Sequence, residues 1–231
     1  MDHAGLFDLP EDLVYLNTAY MGPALWPARE AGVNAIAQLA NPLNYKAPEF
    51  FDPPMRVRKL FAQIIGCDDP ERIALTPSCS YGMANAARQI HPSPHNNIVV
   101  AEGQFPSNFF IWQRLAEESG CELRRVSPPT QAKNRGQLWN EYLLNAIDQN
   151  TAAVAIAPLH WTDGTLFNLE AIREKTFACK ALLIVDGSQA IGAMPISVAD
   201  LQPDALVCAA YKWLFCPYGS GFAYYGSHFD D

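Results

Sequence analysis

Two runs of this chain, AAVAIAP at 152–158 and ALLIVDG at 181–187, are apolar up to their final residues, with no alternation of apolar and polar positions. A strand built that way must be covered on both faces, which places it inside a layered α/β domain. These runs give strands at Ala153–Pro158 and Leu182–Asp186. Ile73–Pro77, Asn97–Ala101, Glu122–Val126, Ala205–Ala210 and Gly221–Tyr225 read as five more. Helical patterns fall between most of them, at Ser80–Ile90, Asn108–Ser119, Leu138–Asp148 and Leu169–Lys180. Such alternation predicts a mostly parallel sheet with right-handed crossovers and helices on its faces. Only Tyr211–Ser220 separates the last two strands, which is short for a crossover helix, so Gly221–Tyr225 is expected to run antiparallel.

The first 50 residues have another character. YLNTAYMGPALWP is rich in Pro and Gly, a helix is predicted over Pro27–Ala40, and NPLNYKAPEFFDPP reads as a proline-broken stretch. Residues 1–50 are therefore taken as an N-terminal arm and helix, and 51–231 as the sheet domain. With 49% hydrophobic and 17% charged residues the composition is globular. A net charge of −8 without a basic run argues against nucleic acid or an anionic membrane surface as the main partner. The acidic start MDHAGLFDLPEDL is unlike a secretory signal, and no apolar run approaches the roughly 20 residues that span a bilayer. The expectation is a cytoplasmic protein. Cysteines 67, 79, 121, 179, 208 and 216 lack metal-ligand spacing, so reduced thiols and no metal are expected.

In parallel α/β sheets ligands collect at the carboxyl ends of the strands, and four predicted strand ends carry polar or reactive residues. In TPSCSYGMANAARQI, Ser78, Cys79 and Ser80 stand where helix N-terminal amides are free to hold a phosphate; an ordinary Ser N-cap explains them equally well. In EGQFPSN, Phe105 can stack on a planar ring or be plain core. In LLIVDGSQAIG, Asp186 directly follows a buried strand and needs a partner: a pyridinium N–H, a helix N-terminus or a metal. Gln189, three residues on, can reach a ring hydroxyl. In ALVCAAYKWLFCPYGSGF, Lys212 follows an apolar strand, where desolvation lowers an amine's pKa and makes it competent to form an imine; a snorkelling lysine is the alternative. No G-x-G-x-x-G follows the first strand, which disfavours NAD binding.

VDGSQAIG followed by YKWL-x-x-P-x-G-x-GF resembles the class V aminotransferase family, which includes cysteine desulfurases, isopenicillin N epimerase-like proteins and kynureninases. YLNTAYMGP, EGQFPSN and TDGTLFNLEAI match it in order as well. The resemblance implies the large domain of a pyridoxal 5′-phosphate (PLP)-dependent transferase: a three-layer sandwich around a mostly parallel seven-stranded sheet, without the family's small C-terminal domain. It implies that Lys212 is the Schiff-base lysine and Asp186 the pyridine-nitrogen partner. Gln189 would lie near the ring oxygen, Phe105 on the ring, and Cys79 and Ser80 on the phosphate-binding turn. Tyr211 joins the cofactor-binding set at a position where desulfurases usually carry His. His160, in APLHWTDG, lies on a strand-end loop as a substrate-side candidate, with a structural role equally open. Ala209 departs from a phosphate-contacting Ser, and Cys216 from a frequent Gly.

The implied activity is transaminase, lyase or epimerase chemistry on an amino acid, in a homodimer. The alternative is a truncated, catalytically silent PLP-binding or dimerisation remnant. The family's substrate-carboxylate arginine belongs to the small C-terminal domain.

Overall fold

The computed structural model describes residues 4–130 and 133–230. In chain order the elements are α1 (Trp26–Leu39), α2 (Ala47–Ile64), β1 (Ile73–Thr76), α3 (Cys79–Arg88), β2 (Asn97–Ala101), α4 (Phe110–Ser119) and β3 (Glu122–Val126). There follow α5 (Arg135–Ala146), β4 (Thr151–Ile156), α6 (Leu169–Cys179), β5 (Leu182–Asp186), α7 (Val198–Leu201), β6 (Ala205–Ala209) and β7 (Gly221–Tyr225). One seven-stranded sheet forms in the order β1-β7-β6-β5-β4-β2-β3. The expected antiparallel strand is β7, which runs against both β1 and β6, while the other pairings are parallel. Six strands thus point the same way and deliver their carboxyl ends to one edge.

Alternate strand residues feed separate helical layers, which makes the domain a three-layer sandwich. Ile98 and Val100 of β2, Ala153 and Ala155 of β4 and Val207 of β6 pack with Met83 of α3 and Trp112 of α4. Val99, Val154, Val185 and Leu206 face Phe61 of α2, Leu143 of α5 and Ile172 of α6. Gly82 lets α3 lie close on the sheet, because a Cβ there would sit 2.5 Å from Val207 Cγ1. β3 joins two layers at their rim: Arg124 bonds Asp148 Oδ2 at 2.6 Å and the Ala146 carbonyl at 3.0 Å.

The proline-broken stretch is the main correction to the sequence reading. It is helical: α2 runs 18 residues, through Pro53 and Pro54 and across residue 50. Each internal proline removes one helical N–H, but Glu49 and Phe50, whose carbonyls lose those bonds, lie on an exposed surface. α1 buries none of its residues, and Val33, Ile36 and Leu39 are among the apolar side chains it leaves exposed. The short helix α7 was not predicted; elsewhere the differences are of ends, and α5 begins three residues before the predicted Leu138 and stops at Ala146. β4 starts at Thr151 and ends at Ile156.

Candidate active site

A cavity of about 250 Å³ opens at the carboxyl edge of the sheet. Its floor comes from the ends of the central strands, and Cys79, Ser80, Phe105, Asp186, Gln189, Tyr211 and Lys212 all line it. The topology explains the convergence. β1, β5 and β6 are separated in the chain but lie within one half of the sheet, and the loop after β2 closes over them.

Asp186 is the last residue of β5 and is only 4% exposed. One carboxylate oxygen, Oδ1, accepts from the Ser188 N–H at 3.0 Å and from the Cys79 thiol at 3.5 Å. Among the described residues Oδ2 has no partner. Burial, aided by the neighbouring carboxylate, pushes the Cys79 thiol well above its ordinary pKa, so it stays a protonated donor. Lys212 is 5% exposed, and its Nζ makes no hydrogen bond or ion pair among the described residues. Its Nζ lies 5.1 Å from the centroid of the Phe105 ring. Desolvation lowers its pKa, opposed by the charge of Asp186.

Asp186 Oδ2 and Lys212 Nζ thus make no hydrogen bond among the described residues, and both residues line the cavity. They fit a ligand that offers an N–H to the first and a carbonyl to the second. α3 starts on the same wall. Ser78 is its N-cap, accepting from the Tyr81 N–H at 3.2 Å, so the capping role falls to Ser78, while Cys79 and Ser80 of the first turn line the cavity. Tyr211 packs its ring 4.7 Å from that of Tyr218, and burial raises its phenol pKa. Gln189 spends Nε2 on the Ala19 carbonyl and Oε1 on Trp213 Nε1, each at 3.0 Å. The second N–H of its amide remains available.

His160 is held away from the cavity. It is buried, with Nδ1 2.8 Å from Thr162 Oγ1 and Nε2 3.1 Å from the Glu102 carbonyl, and it packs against Trp139. It joins the loop after β4 to the loop after β2. The next residue, Trp161, lines the cavity instead: its indole donates to the Gly103 carbonyl at 2.8 Å and its ring stands edge-on to Phe105. The sequence marked that loop but not which of two adjacent side chains turns inward. Gln104 and Ser188 also line the cavity without having been singled out.

A carboxyl-edge cavity with a buried lysine, a buried aspartate and a stacking aromatic defines a site for a planar, anionic cofactor on a transferase large domain. The comparisons agree. The family model described as aminotransferase class V matches residues 47–230, and the chain belongs to that family, whose cofactor is PLP. It is 28% identical to a kynureninase of Pseudomonas fluorescens, over 90% of this chain and 50% of that protein. With an isopenicillin N epimerase of Streptomyces clavuligerus it shares 24% identity, over 93% of this chain and 54% of the relative. The chain spans about half the length of the curated relatives it matches. The cysteine desulfurase CsdA of Escherichia coli superposes with a TM-score of 0.81 at 20% identity, covering 96% of this chain and 57% of that one.

Proposed function

We propose that this chain binds PLP through Lys212 and serves a PLP-dependent enzyme that acts on an amino acid by transaminase, lyase or epimerase chemistry. The carrying observation is a pair of polar groups without a hydrogen-bond partner among the described residues, Asp186 Oδ2 and Lys212 Nζ, on one cavity walled by Phe105. When bound, PLP supplies an electron sink for chemistry at the substrate Cα. Asp186 Oδ2 would accept the ring N–H and keep it protonated. Phe105, propped by Trp161, would lie against the ring. The α3 amides of Cys79 and Ser80 would hold the phosphate, and Gln189 and Tyr211 would complete the wall. Lys212 Nζ, its pKa lowered by desolvation, would hold the cofactor and is the base placed to take a proton from the substrate Cα. A homodimer is part of the same reading and rests on the family resemblance, and a cytoplasmic location rests on the free cysteines.

Borohydride reduction of protein mixed with PLP, followed by peptide mapping, tests the assignment. A pyridoxyl group on Lys212 is expected, and a label on another lysine, or none, rejects it.

One observation favours the second reading, a catalytically silent PLP-binding remnant. Among the described residues no arginine lines the cavity, and Lys212 is the one cation there. An amino-acid carboxylate therefore meets no guanidinium there.

A further inference from the structure

The N-terminal arm grips the turn that carries Lys212, and Gln189 is the link between them. An indole N–H only donates and a carbonyl only accepts, so the bonds from Trp213 Nε1 and to the Ala19 carbonyl fix which way the Gln189 amide faces. One amide thereby joins the arm to the residue that follows Lys212. Further along the arm the Gly22 N–H donates to the Tyr211 carbonyl at 2.9 Å, on the residue that precedes Lys212. Gly22 lies so close to the turn that a Cβ would stand 2.2 Å from the Lys212 carbonyl oxygen and 2.9 Å from Phe215 Cδ1.

The turn itself is strained. Phe215 has φ 54, a left-handed conformation that a bulky residue holds only where its surroundings impose it. Those surroundings are again the arm: the Phe7 ring lies 5.4 Å from that of Phe215, and Phe7 is tied by a β-bridge to Leu25. Within the turn, the Phe215 N–H reaches the Lys212 carbonyl at 3.3 Å and the Cys216 N–H the Ala210 carbonyl at 3.1 Å. Phe7 and Gly22 do not line the cavity, so their contacts bear on Lys212 only through the turn.

We propose that Gln189 is a positioning residue which, with the arm from Phe7 to Gly22, clamps the turn Tyr211–Cys216 and so sets where Lys212 Nζ stands in the cavity. The inference deepens the reading of Lys212 as the cofactor-binding amine and rests on it. It gives Gln189 a task distinct from any contact with a ring oxygen, because the two bonds that make the clamp leave the second N–H free.

The test is hydrogen–deuterium exchange on the full chain without cofactor, comparing the wild type with Phe7→Ala, Gly22→Ala and Gln189→Glu. Gln189→Glu keeps an acceptor for Trp213 and loses the donor to Ala19. Exchange in peptides covering Phe215 and Cys216 should rise about tenfold or more in each variant, with β4 and β5 unchanged as the sign of a folded domain. If Gly22→Ala unfolds the chain, Phe7→Ala and Gln189→Glu decide. Unaltered exchange at Phe215 and Cys216 in folded variants overturns the clamp. In parallel, the rate of borohydride-trapped pyridoxyl incorporation at Lys212 should fall in all three. A wild type that takes no label on Lys212 while the exchange difference persists defeats the cofactor reading and leaves the clamp standing. A labelled Lys212 with unaltered exchange does the reverse.

Discussion

Lys212 Nζ lies 5.1 Å from the centre of the Phe105 ring, and Trp161 stands edge-on to that ring at 5.4 Å and 88°. Phe105 is thus held by an aromatic neighbour while its surface serves the cavity. Aromatic pairs contribute about 0.5–1.5 kcal/mol beyond area burial. Phe105→Ala should therefore weaken PLP binding by up to roughly tenfold and leave folding stability almost unchanged, since the ring is 37% exposed. A spectroscopic titration gives the dissociation constant, and an unchanged value would remove Phe105 from the cofactor wall.

Asp186 makes a prediction of opposite sign with and without cofactor. Its Oδ2 makes no hydrogen bond among the described residues, so Asp186→Asn removes no protein hydrogen bond there while keeping an oxygen for the Ser188 N–H. The variant without cofactor should melt at the wild-type temperature or above. Charge-assisted hydrogen bonds contribute about 1.5–3 kcal/mol, so the same variant should bind PLP roughly 10- to 150-fold more weakly. Melting curves with and without PLP check both halves, and a loss of stability in the empty protein would contradict the account.

The strands were legible because a strand covered on both faces cannot hide its composition, and the antiparallel direction of β7 followed from the shortness of Tyr211–Ser220. α2 was not legible. Pro53 and Pro54 argue against a helix locally, and only the packing of Phe61 and Ala62 under the sheet outweighs them. At the site, Lys212, Asp186 and Phe105 were legible because strand ends must converge on one edge. Trp161 and the Gln189 clamp were not, since which side chain of a loop turns inward depends on contacts such as His160 with Glu102 and Gln189 with Ala19.

Lys212 should make the stability of the empty protein depend on pH. Burial lowers its pKa from the ordinary 10.5, so between the lowered value and 10.5 the unfolded chain binds more protons and stability rises with pH. Lys212→Met lacks this dependence. It should be more stable than the wild type at neutral pH, with the gap closing as pH approaches 10.5. Denaturant titrations across that window decide, and a gap that widens with pH would refute the burial argument.

At the sheet rim, Asp148 accepts from Arg124, Asn97 Nδ2 and the Asn150 N–H, and Arg124 holds its carboxyl at about 2, below the ordinary 3.8. The stabilisation is fully present above 3.8 and is lost as pH falls through about 2. Asp148→Asn should therefore cost stability at neutral pH and almost none at the acid limit. Acid unfolding curves that stay parallel down to that limit would count against this pairing.

Cofactor capture and turnover should separate in this chain. The groups assigned to PLP all lie on one cavity, yet among the described residues no arginine lines it, and a substrate carboxylate bound without a guanidinium loses a bidentate, charge-assisted pair. That loss falls on substrate binding and orientation, where misplacement of about 1 Å can cost roughly 100-fold in rate. The expected outcome is a visible absorbance band with added PLP, a pyridoxyl label on Lys212, and little spectral change or turnover across a panel of amino acids. A longer form of the protein that contributes an arginine should recover the amino-acid response without altering the label site. Substantial turnover by the 231-residue chain alone would show that residues already on the cavity clamp the substrate. Tyr211 and Gln104 would then be the first side chains to vary, since each lines the cavity and carries a hydrogen-bond donor without a partner among the described residues.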